Sequence, residues 1–178
     1  VWELRRLAGW LRGQGAPLLG VYGLSLGGYT AALFASIESR LSCAITTVPV
    51  VSLTSMIQRD LSEQKRLAGE ALGVTEEVLE QAWAPHAPLR HTPKVAKAGR
   101  LIVAGLADRI CPPDQAQALF EHWERPAIHW FPGTHLLPIG RRETRARMER
   151  HLRDTLLAEP VPEPLPLTRF RQGGGVEP

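Results

Sequence analysis

Short apolar runs, separated by longer stretches of helical spacing, set the pattern of this chain. Residues 18–22 (LLGVY) suit a strand covered on both faces, and residues 30–37 (TAALFASI) carry the spacing of a buried helix that runs to about residue 39. Residues 43–51 (CAITTVPVV), rich in β-branched side chains, follow as a second buried strand with Pro49 near its end. Third and fourth strands are expected at 100–104 (RLIVA) and 127–131 (AIHWF). Between those two, Pro112 and Pro113 open a helix through Gln115, Ala116, Ala118, Leu119, Phe120 and Trp123, since proline's missing N–H costs nothing in a first turn. The chain begins with an amphipathic helix presenting Trp2, Leu4, Leu7, Ala8 and Leu11, and an arginine-rich helix from residue 141 closes the domain near residue 158. Strands alternating with helices predict an α/β fold: parallel strands in sequence order, with helices on both faces.

The pattern changes between residues 52 and 93. Two helical segments are expected there, the second with Thr75 as N-cap, Glu76 and Glu77 in its first turn, and Val78, Leu79, Ala82 and Trp83 on one face. About forty residues exceed what a crossover needs, so this piece is expected to fold over the strand ends as a cap. Its apolar residues Met56, Ile57, Leu61, Leu67, Leu72, Val78, Leu79 and Trp83 are assigned to packing between helices. Residues 159–178 (EPVPEPLPLTRFRQGGGVEP) have little to bury and read as a disordered tail, leaving a core at 1–158 interrupted by the cap at about 52–93.

Composition adds limits. With 178 residues, 44% of them hydrophobic, the chain is long enough for one sizeable core. Two cysteines, Cys43 and Cys111, are too few for a disulfide framework and lack zinc-ligand spacing. A reducing compartment, hence the cytoplasm, is the default. The net charge of +3 is concentrated in residues 141–154, but Glu143–Arg147, Arg145–Glu149 and Glu149–Arg153 at i,i+4 spacing make that stretch a solvated helix face and not a nucleic-acid patch. No run of eighteen apolar residues predicts a transmembrane helix, and Arg5 and Arg6 interrupt the apolar residues of the opening helix, unlike a signal peptide.

The chemistry is concentrated where the first strand meets its helix. Gly23-Leu24-Ser25-Leu26-Gly27 is a G-x-S-x-G sequence between strand and helix, the context of a nucleophile elbow. Serine in that turn takes a strained backbone, and glycine two residues before and after it is expected to avoid a clash. The turn exposes the Ser25 hydroxyl at a helix N-terminus, where the Leu26 N–H can help hold an oxyanion. Neither G-x-x-x-x-G-K-[ST] nor G-x-G-x-x-G is present, which argues against nucleotide binding. Serine needs a base, and the base an acid, both just past strand ends. Asp108 follows the third strand in this way and His135 the fourth. The rivals stand elsewhere: Asp60 in the cap, Asp114, Asp154, His122 and His151 on helices, His129 within a strand, and His86 and His91 in the irregular stretch before the third strand.

With the elbow, the GLADRICPP turn and the PGTHL loop together, the sequence resembles the α/β-hydrolase superfamily, and within it bacterial hydrolases with a GLSLGGYTAA elbow. The resemblance covers about residues 1–158. It implies Ser25 as nucleophile, His135 as base, Asp108 as acid and the Leu26 N–H as one oxyanion donor, in an esterase- or lipase-like serine hydrolase that works through an acyl-enzyme. It also implies a small acyl ester as substrate and no cofactor. The same triad can pass its acyl group to another acceptor, as an acyltransferase, and a non-catalytic binding module of the same fold is the third reading. Family members place further strands, and a loop carrying the second oxyanion N–H, before the elbow strand. Only a partial fold, a half-sheet, is therefore expected here, with an open edge at 18–22 and lower activity, since one lost donor costs about 10² to 10³ in rate. The native protein is accordingly expected to extend upstream of Val1 by roughly a hundred residues or more.

Overall fold

The computed structural model describes residues 1–157, and the tail expected at 159–178 lies outside them. Four strands, β1 (Leu19–Leu24), β2 (Leu41–Thr47), β3 (Arg100–Gly105) and β4 (Ala127–Phe131), form one parallel sheet in sequence order. Seven α-helices accompany them among the described residues: α1 (Trp2–Gly13), α2 (Leu26–Ile37), α3 (Leu53–Asp60), α4 (Glu63–Ala71), α5 (Glu76–Trp83), α6 (Pro113–His122) and α7 (Arg141–Leu156). The pairings Leu24↔Thr47, Thr47↔Val103 and Gly105↔Phe131 bring all four carboxyl ends to one side of the sheet. This is the α/β arrangement expected of a partial α/β-hydrolase fold, with helices on both faces and a helical insertion between β2 and β3.

The two faces are covered unequally. On one, Ala8 of α1, Ala32, Phe34 and Ala35 of α2, and Ala116 and Leu119 of α6 pack with Leu19, Ala44, Ile102 and Ala104 of the sheet. On the other, Cys43, Ile45, Leu101, Val103 and Phe131 meet Met148, Leu152 and Leu156 of α7 alone. All six residues of β3 are buried, as its unbroken apolar run requires. β1 departs from expectation. Leu19 is buried, but Leu18, Tyr22 and Leu24 are exposed, because α7 lies mainly across β2, β3 and β4, with Leu156 near Gly20 of β1. A groove of about 410 Å³ remains between Tyr22, Leu24 and α7. β1 is also the edge of the sheet, so the open edge anticipated from the sequence is present among the described residues.

Other boundaries move for local reasons. β2 starts at Leu41 and ends at Thr47, not Val51, because Val48 turns the chain with a φ of 41°. The insertion holds three α-helices, not two: Gly73 at φ 78° separates α4 from α5, and Ser62 starts α4 afresh after α3. Thr75 caps α5 as expected, its hydroxyl accepting the Val78 N–H at 3.3 Å. Met56 packs with Tyr29, Val50 and Cys111, but Ile57, Leu67, Leu72, Val78 and Trp83 are exposed, so packing within the insertion does not use them all. On α1, Leu4, Ala8 and Leu11 face the core, while Trp2 and Leu7 stay in solvent: a stripe wider than the contact it makes. Along α7, Glu143 and Arg147 approach to 3.9 Å. No helix among the described residues is long and apolar enough to cross a membrane.

Two buried charges are hydrogen-bonded to partners. Glu38, 2% exposed at its side chain, meets Arg40 at 2.5 Å and Arg5 at 3.4 Å, and these hydrogen bonds hold its carboxyl down to about 2. Arg100, the first residue of β3, donates to the carbonyls of Val95 (2.6 Å) and Trp123 (2.7 Å), fixing the sheet to the end of α6.

Candidate active site

Three loops at the carboxyl ends of β1, β3 and β4 meet in one place. After β1 the chain turns through Ser25, whose φ of 55° and ψ of −117° lie outside the regions that side-chain-bearing residues favour. Two contacts keep the turn closed. The Ser25 N–H donates to Thr47 O of the neighbouring strand at 2.9 Å, and Gly23 lies so close to the start of α2 that a Cβ there would stand 1.9 Å from Gly27 O. The expectation that both motif glycines avoid a clash is half right: a Cβ on Gly27 would meet nothing within 4 Å. The turn delivers Ser25 as N-cap of α2, so the Leu26 N–H sits in the first turn, where helix geometry provides no acceptor.

The β3 loop is tied to the β4 loop by Leu106 N–H to Phe131 O at 3.0 Å and Ala107 N–H to Gly133 O at 2.9 Å. Asp108 follows with its carboxylate fully buried. One oxygen, Oδ1, accepts the N–H groups of Ile110 (2.9 Å) and Cys111 (2.8 Å), which fixes the plane of the group and aims Oδ2 at His135. His135 comes from a tight loop after β4. Thr134 N–H donates to Leu137 O, and the Thr134 hydroxyl accepts Leu137 N–H, both at 3.1 Å. Gly133 is required at its base, since a Cβ would stand 2.6 Å from Leu137 O.

The imidazole bridges the other two. His135 Nδ1 lies 2.7 Å from Asp108 Oδ2, and Nε2 lies 3.0 Å from Ser25 Oγ. With a carboxylate oxygen as its partner at Nδ1, the ring carries its proton there and leaves Nε2 free to accept from the serine hydroxyl. Three of the rival histidines are engaged elsewhere: His122 Nε2 with His91 O, His91 Nε2 with Pro85 O, and His129 Nε2 with the Thr144 hydroxyl. Among the described residues, no group of three or more His, Cys, Asp or Glu side chains is placed to hold a metal ion.

The sequence model of the prolyl oligopeptidase family matches residues 16–131, the stretch that includes Ser25 and Asp108. The chain belongs to the prolyl oligopeptidase family. It thereby falls within the α/β-hydrolase superfamily. Over 137 residues, 76% of the chain, it is 42% identical to uncharacterised proteins from two strains of Mycobacterium tuberculosis. The chain spans about a third of those relatives, the match covering 32% of their length. Among solved structures it is similar in fold to an acetyl xylan esterase from Paenibacillus sp. R4, with TM-score 0.67 at 20% identity over 85% of this chain and 50% of that one. It is also similar to a puromycin-hydrolyzing peptidase of Mycobacterium tuberculosis, with TM-score 0.64 at 20% identity over 84% of this chain and 24% of that one.

Around these three side chains, this member of the prolyl oligopeptidase family places residues that sequence reasoning passed over. Gln115 is buried, its Oε1 accepting the N–H groups of Val51 and Ser52 at 2.9 Å, so α6 holds the exit of β2 in place. Tyr29 of α2 donates to His86 O at 2.7 Å and ties the elbow helix to the insertion. Burial pushes the Tyr29 phenol above its ordinary value. Cys111 is buried, and its Sγ stands 3.8 Å from Ser25 Oγ. Only the proximity of its number to Asp108 could have pointed to it.

Proposed function

We propose that Ser25, His135 and Asp108 form a catalytic triad that hydrolyses a carboxylic acyl substrate through an acyl-enzyme. The observation that carries this reading is the unbroken chain from Ser25 Oγ through the imidazole to the buried Asp108 carboxylate, at 3.0 and 2.7 Å. Nε2 takes the hydroxyl proton as Oγ attacks the substrate carbonyl, and Asp108 stabilises the imidazolium that forms. The carbonyl oxygen gains charge beside the Leu26 N–H at the positive end of α2. As the tetrahedral intermediate collapses, Nε2 returns the proton to the leaving group, and water then enters by the same steps in reverse order of roles.

The scissile bond is assigned first to a carboxyl ester, the easier leaving group for a site with one identified oxyanion donor. Membership of a family named for oligopeptide cleavage favours a second reading, the amide of a peptide, for which the proton return from Nε2 matters more. Helices α3–α5 are assigned as a cap over this end of the sheet, and the two free cysteines fit a reducing, cytoplasmic setting. The test uses the protein expressed from its complete gene. It should hydrolyse p-nitrophenyl acetate, and Ser25 should be labelled stoichiometrically by a fluorophosphonate. Ser25→Ala should lose both, and retention of turnover by that variant excludes the mechanism. Aminoacyl p-nitroanilides separate ester from amide preference, and product analysis in the presence of alcohols separates hydrolysis from acyl transfer.

A further inference from the structure

Cys111 lies where no step of the triad uses it, yet it touches two of the three members. Its backbone N–H donates to Asp108 Oδ1 at 2.8 Å, and its Sγ lies 3.8 Å from Ser25 Oγ, within reach of a sulfur hydrogen bond. The side chain is 4% exposed, packed with Tyr29, Val50, Leu53 and Met56. Which atom donates follows from the rest of the site. Asp108 Oδ2 takes the Nδ1 proton, so Nε2 is an acceptor, and the single proton of Ser25 is committed to Nε2. The remaining partner of Oγ must therefore be a donor, and the thiol has one proton to give.

We propose that Cys111 is a positioning residue for the acylation step, its S–H donating to Ser25 Oγ so that the serine hydroxyl is left one direction to point, toward His135. This rests on Ser25 being the nucleophile and adds a second anchor to it. A hydroxyl rotor with only His135 as partner can turn away; one that also accepts from below is confined to the attacking orientation. The thiol is suited to this. Burial, the largest influence, pushes its ionisation above the ordinary value and outweighs the lowering by the hydrogen bond with Ser25, and the nearby Asp108 carboxylate adds to the rise, so it keeps its proton at neutral pH and does not compete as a nucleophile. Sulfur is a weak donor, so the contact orients Oγ without holding it back from the carbonyl.

Four variants in the protein expressed from its complete gene test this: Cys111→Ala, Cys111→Val, Cys111→Ser and Cys111→Thr. The pair Val and Thr share one shape and differ in a hydroxyl, so a loss of packing moves both alike, and the pair still decides if Ala or Ser fails to fold. The readouts are the rate of fluorophosphonate labelling and kcat and KM for p-nitrophenyl acetate, with a thermal melt for each variant. Ala and Val should slow labelling and kcat about three- to tenfold at unchanged KM, the span of one modest hydrogen bond, while Ser and Thr stay within about twofold of the parent. Val matching the parent, or Thr falling with Val, overturns the positioning role while the labelled parent keeps Ser25 as nucleophile. A parent that is not labelled at all overturns the nucleophile assignment, and this inference with it.

Discussion

Gly23 and Gly27 occupy equivalent places in the G-x-S-x-G sequence, yet they should respond in opposite ways to the same methyl group. A Cβ at position 23 would stand 1.9 Å from Gly27 O, 2.3 Å from Gly27 C and 2.8 Å from Gly28 N, where real contacts do not fall below 3.0 Å. Every one of those atoms is backbone, so no side chain can swing aside, and the turn must open by about 1 Å. Overpacking of this kind costs about 3 kcal/mol, which lowers the melting temperature of a domain this size by about 6 to 12 °C. The displacement falls on Ser25 itself, and a misplacement of about 1 Å costs on the order of 100-fold in rate. At position 27 the methyl meets nothing and replaces a flexible residue within α2, so Gly27→Ala should leave stability unchanged or raise it by up to about 1 kcal/mol. Thermal melts of both variants, with labelling rates for Gly23→Ala, decide the matter. If Gly23→Ala keeps its rate within threefold, or Gly27→Ala melts as low as Gly23→Ala, then the steric account of this turn is wrong.

Glu38 is ionised in the folded state at a pH where it would be protonated in the unfolded chain, held at about 2 against 4.5. Its folded value is the lower one, so the stabilisation is complete above pH 4.5 and is lost as pH falls from there toward 2; it amounts to about 2 kcal/mol once solvent screening of the partly exposed arginines is allowed for. Glu38→Gln should therefore melt lower at pH 7 and show a flatter stability curve between pH 5 and 2, and an unchanged acid limb in urea unfolding would count against the pairing. Asp108→Asn retains an oxygen for the N–H groups of Ile110 and Cys111 but turns an amide toward His135 Nδ1, moving the imidazole proton to Nε2. Catalysis of p-nitrophenyl acetate should fall about 10⁴-fold with little change in melting temperature, and activity within tenfold of the parent would remove Asp108 from the mechanism.

The sheet was legible because each strand is a short apolar run bounded by turn residues: β4 occupies residues 127–131 as read, and β3 differs by one residue at Gly105. The grouping of Ser25, Asp108 and His135 was legible because strand ends in a parallel sheet converge, so residues a few positions past β1, β3 and β4 had to be neighbours. What the sequence hid depends on contacts that no pattern encodes. Tyr22 and Leu24 are apolar like buried strand residues, but whether α7 reaches them is a matter of where that helix crosses the sheet. Val48 adopts a positive φ despite its β-branched side chain, which shortens β2 against its propensity, because its N–H is taken by Val103 O at 2.7 Å. The approach of Cys111 to Ser25 joins positions 86 residues apart and could be seen only once both loops were folded.

The strained turn at Ser25 depends on structure that lies outside the turn. A side-chain-bearing residue at this backbone conformation costs on the order of 1 to 3 kcal/mol, which local contacts alone do not offset. The offset comes from the two elements the turn joins. β1 is fastened to β2 along its length, ending in the Ser25 N–H bond to Thr47 O, and α2 is buried at Ala31, Ala32, Leu33, Phe34 and Ala35, each no more than 5% exposed. Relaxing Ser25 would mean withdrawing α2 from that core, at about 1.5 to 3 kcal/mol for each large side chain exposed. The hydroxyl is thus held out at the sheet end whether or not His135 and Asp108 are present. Those two are fixed by separate devices, Asp108 by two backbone N–H groups and His135 by the closed loop at Gly133. Geometry assembled from three independent anchors has no need to form when substrate arrives. In the proposed mechanism, what is left to adjust is the direction of the serine hydroxyl, the group that the Cys111 thiol contacts at 3.8 Å.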